Sequence, residues 1–204
     1  MKVLERDFYA RDPKTVAKQL LNKVILHGEC AARLVEVEAY CGAIDPGSHA
    51  FRGKTPRNAT MFGPAGGLYV YFTYGMHWCA NAVCGDVDEG VAVLLRAAEP
   101  LLGLDSMRER RGRAAVRDRD LCSGPAKLCQ ALALDRAFDG SDLVTGDRGV
   151  VIVDDGVRPP RRPGNSVRIG LRAGAEHPWR WFVDGSEHVS NLKLRPASRR
   201  PASS

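Results

Sequence analysis

Two glutamates and a tyrosine alternate along a short apolar segment and could support proton transfer. If residues 34–40 form a β-strand, Glu36, Glu38 and Tyr40 project from one face while apolar residues point to the other. The apolar face should meet a core, which would leave both carboxylates on an accessible surface. The pair would serve either acid–base chemistry or plain solvation, because any half-exposed strand shows the same alternation.

An aromatic hairpin follows further along the chain. Residues 68–74 alternate, the chain turns, and residues 78–83 form a second apolar run, which together predict a β-hairpin. Tyr74 lies at the turn with Met76 beside it, where no core is available to cover them. Tyr74 could therefore act as a wedge that enters a stack of bases. Tyr69 is interpreted more simply, as an aromatic residue that covers one side of the sheet.

Two polar residues interrupt apolar strands. Asn81 lies within residues 79–83, and Arg96 ends the run at residues 91–95. Each side chain would cost about 1–3 kcal/mol or more if it were buried without partners. Both residues are therefore either paired within the fold or held for a ligand.

Glycine-rich segments suggest anion binding at only one place. Gly63, Gly66 and Gly67 lack the lysine and serine or threonine of a phosphate-binding loop and lead into a strand. Ser123 and Lys127 instead flank the predicted start of a helix, where an anion could bind. Simple capping of the helix explains the same residues equally well.

Composition favours a single globular domain with a basic surface. With 204 residues, 44% of them hydrophobic, the chain can bury one good core. Its formal net charge of +6 supports a nucleic-acid partner without establishing one. The six cysteines lack disulfide or zinc spacing, so we expect reduced core thiols and no metal site. No apolar stretch approaches a membrane span, and we expect a monomer in the cytoplasm, or in the nucleus if the source is eukaryotic. The domain should span residues 1–194, followed by a disordered basic tail at 195–204.

The remaining patterns predict a mixed order of helices and strands. Asp12 and Pro13 should begin a helix, as N-cap and first residue. A long polar loop is expected at residues 41–67. Further strands are predicted at 24–26, 91–96, 150–153, 167–171 and 181–184, and further helices at 99–111 and 125–134.

Several ordered motifs resemble the alkyladenine (3-methyladenine) DNA glycosylase family. The resemblance covers residues 8–189 and is dense between residues 35 and 132. The motifs are Val35-Glu36-Val37-Glu38-Ala39-Tyr40, Asp45-Pro46-Gly47-Ser48-His49, Thr55-Pro56-Arg57-Asn58 with Met61-Phe62, Tyr69-Val70-Tyr71 with Tyr74-Gly75-Met76, Asn81, Leu94-Leu95-Arg96-Ala97 with Glu99-Pro100, and Leu121-Cys122-Ser123-Gly124-Pro125-Ala126-Lys127-Leu128.

The resemblance implies both a fold and an activity. The implied fold is α+β, a single mixed domain with a curved antiparallel β-sheet flanked by helices and a protruding β-hairpin that enters the minor groove. The implied activity is hydrolysis of the N-glycosidic bond of 3-methyladenine, 7-methylguanine and hypoxanthine in double-stranded DNA, without a cofactor. No lysine matches a Schiff-base position, so no strand-cleaving lyase activity is expected.

The resemblance also assigns roles to individual residues. Glu38 would be the general base, and Arg96 would help to position the attacking water and the sugar-phosphate. The other roles are a base sandwich formed by Tyr40, His49 and Tyr71, exclusion of the guanine amino group by Asn81, filling of the gap in the duplex by Tyr74, and DNA contacts from Met76, Arg57, Ser123 and Lys127. Glu36 has no catalytic role in this pattern and is either a support or a bystander.

Two rival functions remain open at this point. A carbohydrate hydrolase could use Glu36 and Glu38 together, since residues two apart on a strand lie about 6.5–7 Å apart, within the range of an inverting pair. A non-catalytic protein could use the same aromatic tip to bind damaged DNA. The basic surface argues against the first rival, and the joint presence of Glu38, His49 and Arg96 argues against the second.

Overall fold

A computed structural model describes residues 1–190 of the chain. The predicted tail at 195–204 and the end of the predicted domain at 191–194 lie outside the described residues. Within residues 1–190, no helix is long and apolar enough to cross a membrane.

One curled antiparallel sheet organises the described residues. The strand order is β1-β8-β2-β3-β6-β5-β4-β7, while β10 pairs with both β3 and β9. The strands are β1 Lys2–Val3, β2 Val24–His27, β3 Cys30–Cys41, β4 Gly67–Thr73, β5 His77–Cys84, β6 Val91–Leu102, β7 Ser141–Asp142, β8 Val150–Asp154, β9 Gly164–Ser166 and β10 Arg180–Phe182. With its few flanking helices and its hairpin, this sheet confirms the predicted α+β class.

Short helices pack beside the sheet. They are α1 Arg6–Tyr9, α2 Pro13–Leu20, α3 Leu104–Arg111 and α4 Pro125–Ala131. Asp12 caps α2 as predicted, since its carboxylate accepts hydrogen bonds from the backbone N–H groups of Lys14 and Thr15. Val16 and Leu20 of this helix are buried in the main core.

The long strand β3 is central because it has three partners. Its first half pairs with β2, the segment Glu36–Glu38 pairs with β10, and its other edge pairs with β6. Two register shifts in the β3–β6 ladder flank Glu36, so that Val35 on one strand and Arg96 on the other each lack a direct partner. Such bulges redirect side chains and often lie beside active sites. Here they bring Arg96 next to the acidic residues of β3.

The bulges also change which residues share a face of β3. The sequence pattern predicts Val35 and Val37 on one side of the strand. Instead, Val37 lies in the main core, whereas Val35 packs with Phe182 and Val189 in a separate cluster. The prediction was wrong for Val35 because an extra residue in one strand reverses the alternation locally.

The predicted helix at 99–111 is wrong in its first five residues, because the observed helix begins only at Leu104. Strand β6 continues to Leu102, with Glu99 opposite Arg33 of β3. Gly103, at φ 70°, then separates the strand from α3, which begins only at Leu104. Tertiary pairing with β3 therefore overrides the local helical pattern. The second predicted helix, 125–134, ends early, at Ala131.

The predicted strand at 167–171 is also wrong. The strand in this region is β9, at Gly164–Ser166, and residues 167–171 instead cross the end of β3 as an irregular segment. The backbone N–H of Ile169 donates to the Glu38 carboxylate rather than to a neighbouring strand. The apolar residues of this segment suggested a strand, but the segment instead packs over Glu38.

The hairpin and the cysteines match their predictions. Strands β4 and β5 pair from Leu68 opposite Ala82 to Thr73 opposite His77, and residues 74–76 form the loop. All six cysteines are free and buried.

Candidate active site

The two glutamates of β3 are fully buried, contrary to the predicted accessible surface. Both Glu36 and Glu38 have a relative exposure of 0%. Strand β10 covers this part of β3, and the irregular segments 167–171 and 186–190 supply further hydrogen-bond donors. Alternation alone could not reveal this cover, because it comes from residues more than 100 positions later.

Glu38 has three partners. Its Oε1 accepts a hydrogen bond from the Ile169 backbone N–H at 2.8 Å and lies 3.3 Å from Nη1 of Arg96. Its Oε2 accepts a hydrogen bond from the Tyr40 hydroxyl at 3.0 Å. Burial raises the pKa of Glu38, and the charge of Arg96 together with these hydrogen bonds offsets only part of the rise. A raised pKa makes the ionised carboxylate a stronger proton acceptor.

Glu36 is surrounded by donors. Its Oε1 accepts from Nε of Arg96 at 2.9 Å, Nε of Arg180 at 2.7 Å and the Ser190 hydroxyl at 2.8 Å. Its Oε2 accepts from the Ser190 backbone N–H at 2.6 Å. This carboxylate is therefore held by four hydrogen bonds, and the two glutamates have different environments.

A cavity of about 320 Å³ is lined by Tyr40 and Arg96, two of the partners of Glu38. Its wall includes six of the predicted site residues, namely Tyr40, His49, Tyr71, Tyr74, Asn81 and Arg96. Glu38 lies behind this wall, in contact with Tyr40 and Arg96. The fold thus brings residues from the acidic strand, the long loop, the hairpin and β6 around one space.

Aromatic rings form one side of the cavity. The His49 ring meets the Tyr71 ring edge-on, with centroids 4.5 Å apart, and the Tyr69 and Tyr71 rings are stacked at 5.4 Å. Nδ1 of His49 lies 3.2 Å from the Tyr69 hydroxyl. Burial, aided by the charge of Arg57, lowers the pKa of His49 and favours the neutral ring. The sequence interpretation of Tyr69 was incomplete, since this buried residue also lines the cavity.

Asn81 and Tyr74 of the hairpin loop both line the cavity. Asn81 is buried, and its side-chain amide donates to the Tyr69 carbonyl at 3.1 Å. Tyr74 is 81% exposed and adopts a left-handed conformation with φ 51°. Met76 is 66% exposed and lines a neighbouring groove instead of the cavity. The tip therefore presents two uncovered apolar side chains.

Besides Met76, three predicted DNA-contact residues, Arg57, Ser123 and Lys127, do not line the cavity. Arg57 is exposed and donates to the Phe72 carbonyl at 3.1 Å. The Lys127 ammonium donates to the Ser123 hydroxyl at 3.2 Å. Two of the three residues between Ser123 and Lys127, namely Pro125 and Ala126, do reach the cavity wall.

Arg168 braces the site and was not predicted from the sequence. Arg168 forms two hydrogen bonds to Asp45, at 2.6 and 2.7 Å, and its guanidinium lies 4.7 Å from the centre of the Tyr40 ring. The same guanidinium lies 5.0 Å from the Trp179 ring. Arg96 was predicted as a site residue because it interrupts an apolar run. Arg168 and Arg180 also lie among apolar residues, so the same pattern could have identified them.

The assembled groups suit hydrolysis of a bound aromatic compound. The cavity offers flat ring surfaces, a neutral imidazole, an amide and a guanidinium, and a buried carboxylate lies directly behind its wall. Within residues 1–190, no group of three histidine, cysteine or acidic side chains is placed to hold a metal ion.

Comparisons with known proteins connect this arrangement to one family. The model of the methylpurine-DNA glycosylase family matches residues 7–187. A Burkholderia lata protein named "Putative 3-methyladenine DNA glycosylase" is 55% identical over 199 residues, covering 97% of this chain and 94% of its own length. Proteins of the same name from Streptomyces avermitilis and Agrobacterium fabrum are each 44% identical, covering 97% and 95% of this chain and 95% of their own lengths.

Proposed function

The chain belongs to the methylpurine-DNA glycosylase family of DNA repair enzymes, and we propose that it releases damaged purines from double-stranded DNA by hydrolysis. The proposed substrates are 3-methyladenine, 7-methylguanine and hypoxanthine, and the product is an abasic site. The observation that carries the proposal is the aromatic cavity with Glu38 directly behind its wall.

The damaged nucleotide must leave the base stack to reach this cavity. Unstacking costs a few kcal/mol, and the cost is least for weakly paired or damaged bases. The exposed Tyr74 ring would enter the gap and recover part of this energy, since stacking contributes about 1–3 kcal/mol per base. Met76, Arg57, Ser123 and Lys127 would contact the flanking DNA.

Inside the cavity, the extruded base would lie among aromatic rings. The rings of Tyr40, His49 and Tyr71 provide flat surfaces, and their electron-rich faces attract the positive charge of an N-methylated purine. Asn81 would crowd the exocyclic amino group of guanine and thereby exclude the normal base.

Glu38 would activate the nucleophile. Its carboxylate accepts a proton from water while the water oxygen bonds to C1′ of the sugar and the C1′–N bond breaks. The electron pair of that bond goes to the departing base, which is already cationic when alkylated and needs no proton. Arg96, on the cavity wall and 3.3 Å from Glu38, would orient the water and the sugar-phosphate.

A direct assay of base release tests the proposal. The purified protein should release free 3-methyladenine and 7-methylguanine from methylated duplex DNA, and hypoxanthine from a duplex oligonucleotide, as measured by chromatography. Binding to these duplexes without release of any base would instead identify a non-catalytic DNA-binding protein.

The reaction should end at the abasic site. Because no lysine matches a Schiff-base position, borohydride treatment during turnover should trap no covalent protein–DNA adduct. A trapped adduct would contradict the proposed single hydrolytic step.

A carbohydrate hydrolase would need Glu36 as a second catalytic carboxylate beside Glu38. Glu36 is fully buried and engaged by four donors, so it has no free position for a glycosidic oxygen or a water. Chromogenic glycosides should therefore remain intact with this protein.

A further inference from the structure

We propose that Glu36 is a positioning residue that holds Arg96 beside Glu38, and that Ser190 fixes Glu36 in this role. The inference rests on the proposed function, because it concerns the same site. Glu36 takes no direct part in the proposed hydrolysis, and the proposal gives it a positioning role.

The first argument is the geometry of Arg96. Its Nε donates to Glu36 at 2.9 Å, while Nη1 of the same guanidinium lies 3.3 Å from Glu38. One rigid planar group thus bridges the two carboxylates, and fixing its Nε edge fixes the edge that faces Glu38. The bulge in β6 at Arg96 directs the side chain to this place.

The second argument is how firmly Glu36 itself is held. The backbone N–H and the hydroxyl of Ser190 both donate to it, and Arg180 donates from β10. Arg180 also donates to the Ser190 carbonyl at 3.2 Å, which ties the serine to the same cluster. Hydrogen bonds to a buried charge are strong and directional, so this cluster restrains the carboxylate.

The third argument is charge balance. The cluster contains two carboxylates, Glu36 and Glu38, and two guanidinium groups, Arg96 and Arg180, all almost fully buried. Loss of the Glu36 charge would remove a negative neighbour of Glu38 and leave Arg96 paired with Glu38 alone, which would favour the ionised form of Glu38. The other polar groups around Glu38 are Tyr40 on β3, Arg168 on the covering segment, Tyr71 on β4 and Cys79 on β5.

The test compares single-turnover base release by the whole protein and by its Glu36→Gln variant across a range of pH. We expect the maximal rate to fall at least about tenfold, with duplex affinity unchanged, because only the orientation of Arg96 is lost. We also expect the acidic limb of the pH–rate profile to move to lower pH, because the nearby charge of Glu36 contributes to the raised pKa of Glu38. A lower rate without this movement would show a merely structural role and overturn the proposal.

A second set of variants decides the matter if Glu36→Gln does not fold. Ser190→Ala removes the hydrogen bond from the hydroxyl to Glu36 and the one that the hydroxyl accepts from Nη2 of Arg96 at 3.4 Å, so it loosens both groups and should slow base release. Ser190→Thr keeps the hydroxyl and should restore the rate. Ser141→Ala is the matched control, because it also removes a buried hydroxyl whose hydrogen bond, to the Phe138 carbonyl, lies outside the site. Equal rates for Ser190→Ala, Ser141→Ala and the native protein would overturn the proposal.

Failure of this inference differs from failure of the proposed function. If the native protein releases no base, the function itself is wrong. If the native protein releases bases and Glu36→Gln matches its rate and pH profile, only the role of Glu36 is wrong.

Discussion

At the scale of single residues, the partners of a side chain decide its role. Glu36 and Glu38 look equivalent in sequence, and both are buried. Glu36 meets four hydrogen bonds from three residues, whereas Glu38 contacts two groups on the cavity wall and one backbone N–H. The difference makes Glu38 the better candidate for proton transfer.

The raised pKa of Glu38 predicts the pH dependence of the reaction. The base must be ionised, so kcat/KM should rise with pH and level off above the pKa of Glu38 in the folded protein. Because burial raises this pKa, the midpoint of the acidic limb should lie above the ordinary glutamate value of about 4.3. A midpoint at or below that value, measured with a cationic substrate, would contradict the assignment.

Replacement of Asn81 tests substrate discrimination. The Asn81→Ala variant opens space at the cavity wall, and we expect release of unmodified guanine from duplex DNA to become measurable. Release of 3-methyladenine should continue and serves as the control for folding. If guanine stays as resistant as in the native protein, Asn81 does not exclude it.

At the scale of elements, the hairpin loop holds an exposed tyrosine ring in a strained backbone conformation. Strands β4 and β5 hold a three-residue loop, in which Tyr74 adopts φ 51°, a region that favours glycine. A tyrosine that is 81% exposed contributes little to the core. Its presence at this strained position fits a role in binding rather than in folding.

This trade-off predicts opposite effects of one substitution. Tyr74→Gly should leave the free energy of unfolding unchanged or raise it by up to about 1 kcal/mol, because glycine accepts this conformation. The same variant should slow base release from duplex DNA, because the wedge is lost. Thermal unfolding and single-turnover rates measure the two effects, and an unchanged rate would exclude the wedge.

At the scale of the whole molecule, the site is assembled from distant parts of the chain. Arg168 joins the covering segment to Asp45 of the long loop, and it also donates to the carbonyls of Ala39 and Gly174. Burial would raise the pKa of Asp45, but hydrogen bonds from Arg168 and from the Cys41 backbone outweigh it, so the pKa is lowered. The pair therefore supports both the fold and the placement of Tyr40.

Breaking this pair should be costly. Arg168→Met leaves Asp45 buried without its cation and should lower the free energy of unfolding by about 3–5 kcal/mol at neutral pH. Folding lowers the pKa of Asp45, so the ion pair stabilises the folded protein at pH values above the ordinary aspartate pKa of about 3.9. This stabilisation is lost as the pH falls through the pKa of Asp45 in the folded protein. Denaturant unfolding should show the difference shrinking in acid, whereas Arg161→Met, in an exposed loop, should change stability by less than about 0.5 kcal/mol. Equal stability of the two variants would contradict this account.

Local patterns predicted the elements that local forces determine. The capped helix α2, the hairpin and the acidic strand follow from capping, alternation and turn residues in the sequence. The late start of α3 and the segment over Glu38 could not be predicted from local patterns, because both depend on contacts between distant residues. Family motifs identified the residues around the cavity, whereas the roles of Arg168, Arg180 and Ser190 required the folded geometry.

The Glu38→Gln variant tests whether Glu38 is the general base. Its side chain keeps the shape of glutamate but cannot take a proton from water, and Glu38 is not exposed where DNA would bind. We expect duplex binding to equal that of the native protein, while single-turnover release of 3-methyladenine and hypoxanthine falls below detection. Release of either base at the native rate would contradict the central claim that Glu38 activates the water.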